Sequence, residues 1–560
     1  MVMKNRIKWS VFLLSLIFGS TVFSCEAAES EVPANASNKI DFVSSRMFNY
    51  PILQGRDGNT FFRFAIESTD AVELNEVVLQ LSKESVENVD ALSLFYTAQD
   101  STFKPTKPFS GSKLADQQDI IFDGGQMLKS GVNYFWLSID ASKKCKLTEE
   151  VDFAIKYAKV GKQKIKPAEG LARASYRMGV SVRDHWDDNV HTYRIPGLTT
   201  TNKGTLLAIY DVRRERGGDL QGHIDIGLSR SIDGGSTWEP MRIVLDMGEW
   251  GGLPQKFNGV SDACILVDKN SEAIYVAGLW MHGVISPEGK WIEGLNEKSN
   301  AWNHQWRNKG SQPGFGVKQT SQFIIAKSTD DGKTWGEPVN LTKMCKKEEW
   351  WLWAPAPGNG ITLKDGTLVF PTQGRNYDGE SFSNITYSKD GGKTWITSKQ
   401  AFSNTTECAV VELEDGSLML NMRDNRNGSN KGPDNGRAIF TTTDMGEQWT
   451  QHPTHHGGLI EPRCMASLHK HLYTDKKGNK KSILFFSNPN SKYKRVKQTI
   501  KMSFDGGKTW PEKYWIELDE GRGAGYSCLT SVDEKTIGIL YEGSQAHMTF
   551  QKVDISKYLD

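Results

Sequence analysis

The stretch Ser231-Ile232-Asp233-Gly234-Gly235-Ser236-Thr237-Trp238 recurs four more times along the chain. The later copies are Ser328-Thr329-Asp330-Asp331-Gly332-Lys333-Thr334-Trp335, Ser388-Lys389-Asp390-Gly391-Gly392-Lys393-Thr394-Trp395, a worn Thr442-Thr443-Asp444-Met445-Gly446-Glu447-Gln448-Trp449, and Ser503-Phe504-Asp505-Gly506-Gly507-Lys508-Thr509-Trp510. An aspartate at the third position can accept backbone N–H bonds and tie a turn. The glycine that follows can take positive φ where the chain reverses. The tryptophan opens the next strand and offers a large packing surface. Each copy therefore predicts a hairpin, and His223-Ile224-Asp225-Ile226-Gly227-Leu228-Ser229 reads as the strand entering the first. The tryptophans are 97, 60, 54 and 61 residues apart. A period of about 60, with one insertion placed within 281–320, gives about six units between 180 and 560, a spacing that suits a radial repeat. The predicted fold is all-β: a six-bladed β-propeller over 175–560, with an open solenoid as the structural alternative.

Upstream, the pattern is also β. Phe135, Leu137 and Ile139 alternate with Tyr134, Trp136 and Ser138; Val151, Phe153, Ile155 and Tyr157 alternate again; Val72 to Leu81 is a further strand. Period-two alternation predicts sheets with one covered face, and a β-sandwich over 28–165 is the simplest arrangement. The polar run Gly161-Lys162-Gln163-Lys164-Ile165-Lys166-Pro167 is read as the connection to the repeat region. Before all this, Lys4, Arg6 and Lys8 precede an apolar run from Trp9 to Phe18, the order of a secretory signal over 1–27. Cleavage near Ala27-Ala28 would release the protein, whereas processing at Cys25 would leave a lipid anchor. The expected location is exported: periplasmic, outer-membrane lipoprotein or secreted. No later run is long and apolar enough to span a bilayer.

Composition excludes other classes. Among 560 residues, 68 Lys plus Arg balance 67 Asp plus Glu, and a net charge of +1 does not suit binding of nucleic acid by bulk charge. Fifty-three glycines and 17 tryptophans fit many turns and many packed aromatic positions. The six cysteines after Cys25 form no CxxC or zinc-type cluster and are expected as free, buried thiols. His452, His455 and His456 read as a polar loop, since no carboxylate–histidine pattern accompanies them; no metal and no cofactor are expected. The expected state is a monomer.

The repeated S-x-D-x-G-x-T-W boxes, together with Tyr193-Arg194-Ile195-Pro196, resemble the bacterial exo-α-sialidases (neuraminidases) across roughly 180–560. That resemblance implies a six-bladed propeller and, more loosely, an accessory sandwich in front of it. It also implies roles. Arg194 matches the first arginine of a triad that grips the sugar carboxylate, Arg423 the second and Arg495 the third, with Arg463 and Arg522 lying in the same part of the chain. Asp219 matches the acid/base aspartate, Tyr526 the nucleophile and Glu407 its partner. Arg213 matches a pocket-lining arginine, and Glu542 the glutamate that steadies the first triad member. Asp262, in Val260-Ser261-Asp262-Ala263, is read as lining the pocket or holding a turn. Two departures are Tyr193 in place of the usual phenylalanine and the worn fourth box.

The chemistry explains why such residues would be needed. Sialic acid carries a carboxylate on its anomeric carbon, and guanidinium forks match a planar carboxylate. A carboxylate nucleophile would meet like charge there, whereas a neutral phenol avoids it but requires a base. Two displacements at one carbon give retention. The resulting expectation is a retaining exo-α-sialidase acting on terminal sialosides of glycoproteins, glycolipids and oligosaccharides through a tyrosyl-sialyl intermediate. The alternatives are a non-catalytic sialic-acid-binding lectin, a trans-sialidase of the same frame and release by internal attack, and the front domain is read as binding glycan or bracing the propeller.

Overall fold

The strand expected at Val72–Leu81 forms over those bounds, and the two alternating runs become Gly131–Ala141 and Glu150–Val160. The computed structural model describes residues 39–104, 108–302 and 310–559; the signal expected over 1–27, with Cys25, lies outside the described residues. No helix among the described residues is long and apolar enough to cross a membrane. All six cysteines within them are free and buried.

The front of the chain makes two facing sheets. One orders Ile40–Met47, Asn59–Ser68, Gly131–Ala141, Val89–Tyr96 and Lys113–Leu114. The other includes Asp119–Leu128, Val72–Leu81 and Glu150–Val160. Phe62, Phe64, Phe122, Phe135 and Phe153 fill the space between, and full burial of such a side chain stabilises by about 1.5–3 kcal/mol. Residues Gln163–Ile165 pair back onto Glu150–Val160.

Strand Arg173–Arg183 then joins both regions. Its first half pairs with Glu150–Val160, and its second half pairs with Met548–Asp554 at the far end of the chain.

Among the described residues the repeat region forms six sheets whose successive strands pair antiparallel, and the second also takes Gly358–Asn359 in parallel onto Val260–Val267. Their first strands are Thr192–Thr200, Val260–Val267, Leu352–Pro355, Thr405–Glu412, Ser467–Thr474 and Ser527–Asp533. The sixth sheet runs Ser527–Asp533, Thr536–Tyr541, Met548–Asp554 and takes its outer strand from Arg173–Arg183. Thr192–Thr200 packs against both Val260–Val267 and Ser527–Asp533, and Ser467–Thr474 lies against both Thr405–Glu412 and Ser527–Asp533. Apolar side chains fill the wedges between neighbouring sheets, for example Leu207, Ile226, Ile265 and Val276 between the first and second.

Each repeated box forms the turn between the third and fourth strands of its sheet. In the first, Asp233 Oδ1 accepts from the Thr237 N–H at 2.9 Å, and Asp233 Oδ2 accepts from the Thr237 hydroxyl at 2.6 Å. Ser231 Oγ donates to Asp233 at 2.8 Å and accepts from the Gly235 N–H at 2.8 Å. The second, third and fifth boxes repeat this pattern. The insertion within 281–320 falls between the second and third strands of the second sheet, Ile274–Trp280 and Gln322–Ser328.

Candidate active site

Strand starts are where the first strands depart from regularity. Pairing slips between Arg194 and Gly197, between Ser261 and Cys264, and between Thr405 and Cys408. Ile195, Asp262, Asn404 and Arg463 all hold positive φ, between 54° and 60°. For residues with a Cβ this costs of order 1–3 kcal/mol each and persists only where packing fixes it. All four line one cavity of about 870 Å³. The bulges therefore re-aim Arg194, Asp262 and Glu407 out of the strand alternation and into shared space. At the sixth sheet the device is a glycine: Gly525 has φ +88°, and a Cβ there would lie 2.9 Å from Pro489 Cγ and 3.1 Å from Arg495 Cβ. Only glycine lets Tyr526 sit that close to Arg495.

On the cavity floor the Tyr526 hydroxyl donates to Glu407 Oε1, and Arg423 Nη1 donates to Glu407 Oε2 and, at 2.7 Å, to the Tyr526 oxygen. Burial holds the Tyr526 phenol well above its ordinary range, with the Arg423 charge opposing that shift. It is therefore neutral near pH 7, and the adjacent carboxylate is placed to take its proton.

Glu542, behind the floor, ties two sheets together. Its Oε1 accepts from Arg194 Nε at 2.5 Å and from the Ile195 N–H at 2.9 Å, while its Oε2 accepts from the Tyr526 N–H at 2.9 Å. Burial is the largest influence on Glu542 and opposes its charge, but Arg194 and the Ile195 and Tyr526 N–H donors together outweigh it, and the carboxyl stays below its usual range. Arg194 and Arg495 each place their guanidinium carbon near the Tyr526 ring, at 5.5 and 5.4 Å from its centroid. Arg495 is held by carbonyls, donating to Ala524 O at 2.7 Å and Arg463 O at 3.3 Å.

A second charged group reaches the cavity through Asp219. Arg213, 1% exposed, bridges Asp211 at 3.0 Å and Asp219 at 2.7 Å. Asp219 keeps 40% of its side chain exposed and lines the cavity. Burial pushes Asp211 up to about 6 despite Arg213. Burial, then the charges of Glu407, Asp211 and Asp219, raise Asp262 well above the usual carboxylate range.

The sequence-derived residues thus sort clearly. Arg194, Asp219, Asp262, Glu407, Arg423, Arg495 and Tyr526 line the cavity; Arg213 and Glu542 stand behind it and orient Asp219 and Arg194. Arg463 also lines it, whereas Arg522 does not. Arg375 was missed: it lines the cavity from the third sheet, and burial lowers its guanidinium to about 10. A lone arginine at the end of a strand gives no sequence signal. His456 pairs with Asp424 at 2.7 Å, and no group of three His, Cys, Asp or Glu among the described residues is arranged to hold a metal ion.

Known proteins carry the same arrangement of sequence. The profile of the BNR repeat-like domain matches residues 195–527, and that of the N-terminal domain of BNR-repeat neuraminidase matches residues 40–164. A sialidase of Bacteroides fragilis is 41% identical over 544 residues, covering 92% of this chain and 95% of that protein. The chain belongs to the BNR-repeat exo-α-sialidase (neuraminidase) family. Two further relatives are similar: a Hadza microbial sialidase of solved structure, at 38% identity with a TM-score of 0.79 over 92% of this chain and 100% of that one, and a sialidase of Paraclostridium sordellii, 30% identical over 64% of this chain and 82% of that protein. Within a BNR-repeat sialidase, a cavity lined by five arginines and crossed by a tyrosine–glutamate pair is suited to an anionic sugar.

Proposed function

We propose that this chain is an exported, retaining exo-α-sialidase that hydrolyses terminal sialosides on glycoproteins, glycolipids and oligosaccharides. Its catalytic region, 175–560, is a closed six-bladed β-propeller preceded by a β-sandwich over 28–165. The sequence of first-strand contacts and the use of Arg173–Arg183 as the outer strand of the sixth sheet support closure.

The observation that carries the chemical reading is the Tyr526–Glu407–Arg423 contact at the cavity floor. In the proposed reaction, Arg194, Arg423 and Arg495 grip the sugar carboxylate. Glu407 takes the Tyr526 proton as the phenolic oxygen bonds to the anomeric carbon, and Asp219 gives its proton to the departing oxygen. The glycosidic C–O bond breaks in that step. Asp219, now a carboxylate, takes a proton from water, and the hydroxyl attacks the same carbon. The tyrosyl C–O bond breaks, and Glu407 returns its proton to Tyr526. Two inversions leave the α configuration. Glu542 holds Arg194 beside the Tyr526 backbone, so carboxylate grip and nucleophile share one anchor.

Hydrolysis of a fluorogenic α-sialoside followed by NMR tests this reading. Free α-sialic acid appears first, and Tyr526→Phe lowers kcat/KM by at least about a hundredfold. The β anomer or an anhydro sugar as first product, or undiminished turnover by the variant, rejects it. Binding without release would favour a lectin.

A further inference from the structure

The segment that carries Asp219 has little regular structure of its own. Between strands Leu206–Arg213 and Ile224–Ser231 the chain runs Arg214-Glu215-Arg216-Gly217-Gly218-Asp219-Leu220-Gln221-Gly222-His223. Two neighbouring glycines sit immediately before the aspartate, and such a loop loses conformational entropy when it is held. Its far end is fixed: the buried Gln221 side chain donates to Phe257 O at 2.6 Å and Met281 O at 2.9 Å.

Its tip is braced from outside. Arg216 runs close to Gly218, where a Cβ would stand 3.5 Å from Arg216 Cζ. The Arg216 guanidinium donates from Nη2 to Gln221 O at 2.5 Å, spanning the loop, while Nε is buried without a hydrogen-bond partner. What covers that guanidinium is the Trp302 indole, with Cζ 3.7 Å from the ring centroid. The same indole packs 3.5 Å from where a Gly222 Cβ would be. Trp302 belongs to the insertion in the second sheet. That insertion is itself pinned, because Lys256 Nζ donates to Glu297 O and, at 2.9 Å, to Ser299 O.

We propose that Trp302 is a positioning residue: through its stack on Arg216, the insertion holds the Asp219 loop so that the carboxyl reaches the departing oxygen. This rests on the acid role given to Asp219 above. An aromatic face over a partly desolvated guanidinium is one of the stronger ways to hold an arginine without a carboxylate that would compete with Asp219 for charge. It also assigns the insertion a task in the reaction. The floor residues Tyr526 and Glu407 need no help from Trp302, so only the two proton transfers given to Asp219 should depend on it, and of these kcat/KM reads the protonation of the leaving group.

The test compares leaving groups in the full-length protein. Values of kcat/KM are measured for 3′-sialyllactose, whose alkoxide must be protonated as it leaves, and for 4-nitrophenyl sialoside, whose phenolate departs with little help. Trp302→Ala is expected to lower kcat/KM about tenfold to thirtyfold for sialyllactose and less than about threefold for the aryl sialoside. Trp302→Phe should restore most of the loss. Arg216→Met should reproduce the Ala phenotype, and thermal melts taken alongside confirm that the variants are folded. Equal losses on both substrates, or no loss on either, overturn the proposal. Asp219→Asn separates the two levels of argument. If that variant shows the leaving-group split and Trp302→Ala does not, the positioning role fails alone. If Asp219→Asn shows no split, the acid assignment fails with it.

Discussion

The turns between the third and fourth strands and the starts of the first strands follow opposite rules. At the box turns the chain does the same thing repeatedly: a Ser or Thr, an Asp and a Gly two residues later close one hydrogen-bond pattern. At the first-strand starts each sheet does something different, with an arginine from the first, an aspartate from the second and a glutamate from the fourth. The turns are local structures that any of the sheets can use. The strand starts carry positive φ at Ile195, Asp262, Asn404 and Arg463, which only a surrounding fold can hold. Repetition therefore supplies the frame, and the breaks in repetition supply the chemistry.

That contrast can be broken most severely at Glu542. Glu542→Gln leaves Arg194, 19% of whose side chain is exposed, without its counter-charge, and uncoupling so largely desolvated a pair costs up to about 3 kcal/mol. Urea unfolding should show the loss, and KM should rise because Arg194 no longer holds its orientation. A stable variant with unchanged KM would mean that the strand starts do not depend on this anchor.

The turns should respond to acid instead. Hydrogen bonds from the Thr394 hydroxyl and backbone lower Asp390 to about 2, against 3.8 for an ordinary aspartate. Asp330 is also held at about 2, where burial is outweighed by the combined bonds from Thr334, Ser328 and Lys333. A depressed folded-state value means that the stabilisation is complete above about pH 4 and is lost as pH falls towards 2. Thermal melts across that window should show a falling Tm, and the slope should flatten in Asp390→Asn. An identical slope would mean that these turns do not contribute to acid stability.

The smallest effect is expected in the worn box. Gln448 donates its N–H to Asp444 Oδ1 at 3.0 Å but lacks the hydroxyl that Thr237, Thr334, Thr394 and Thr509 give to the second carboxylate oxygen. Trp449 Nε1 also donates outside its box, to Lys399 O at 3.2 Å, whereas Trp238, Trp395 and Trp510 donate to the carbonyls of Gly235, Gly392 and Gly507 in their own boxes. Gln448→Thr should raise Tm by about 1 °C. A drop would show that the worn turn has been fitted to its neighbours.

The same contrast explains what could be read from residues alone. The boxes were legible because Asp, Gly and Trp act within eight positions, where turn chemistry is local. The 97-residue gap between tryptophans located the insertion for the same reason. Strand Arg173–Arg183 joining Met548–Asp554 was not legible, since its pairing spans more than 360 residues and leaves no local trace. Arg194 had a motif around it. Glu407, Arg423 and Tyr526 gained their expected roles from resemblance to sialidases, not from spacing. Arg375 and Asp211 were missed because a single charged residue on a strand carries no mark of the cavity or partner it will meet. Trp302 was similarly hidden, since nothing in the sequence pairs it with Arg216.

The most direct measurement is covalent. A sialosyl fluoride bearing fluorine at C3 supplies a good leaving group and slows the second displacement by destabilising positive charge at the anomeric carbon. Mass spectrometry of the digested protein should then find the sugar on the peptide containing Tyr526, with none in Tyr526→Phe. A sugar attached to Glu407 or Asp219, or turnover of the reagent with no adduct and inverted product, would contradict the assignment of Tyr526 as the attacking group.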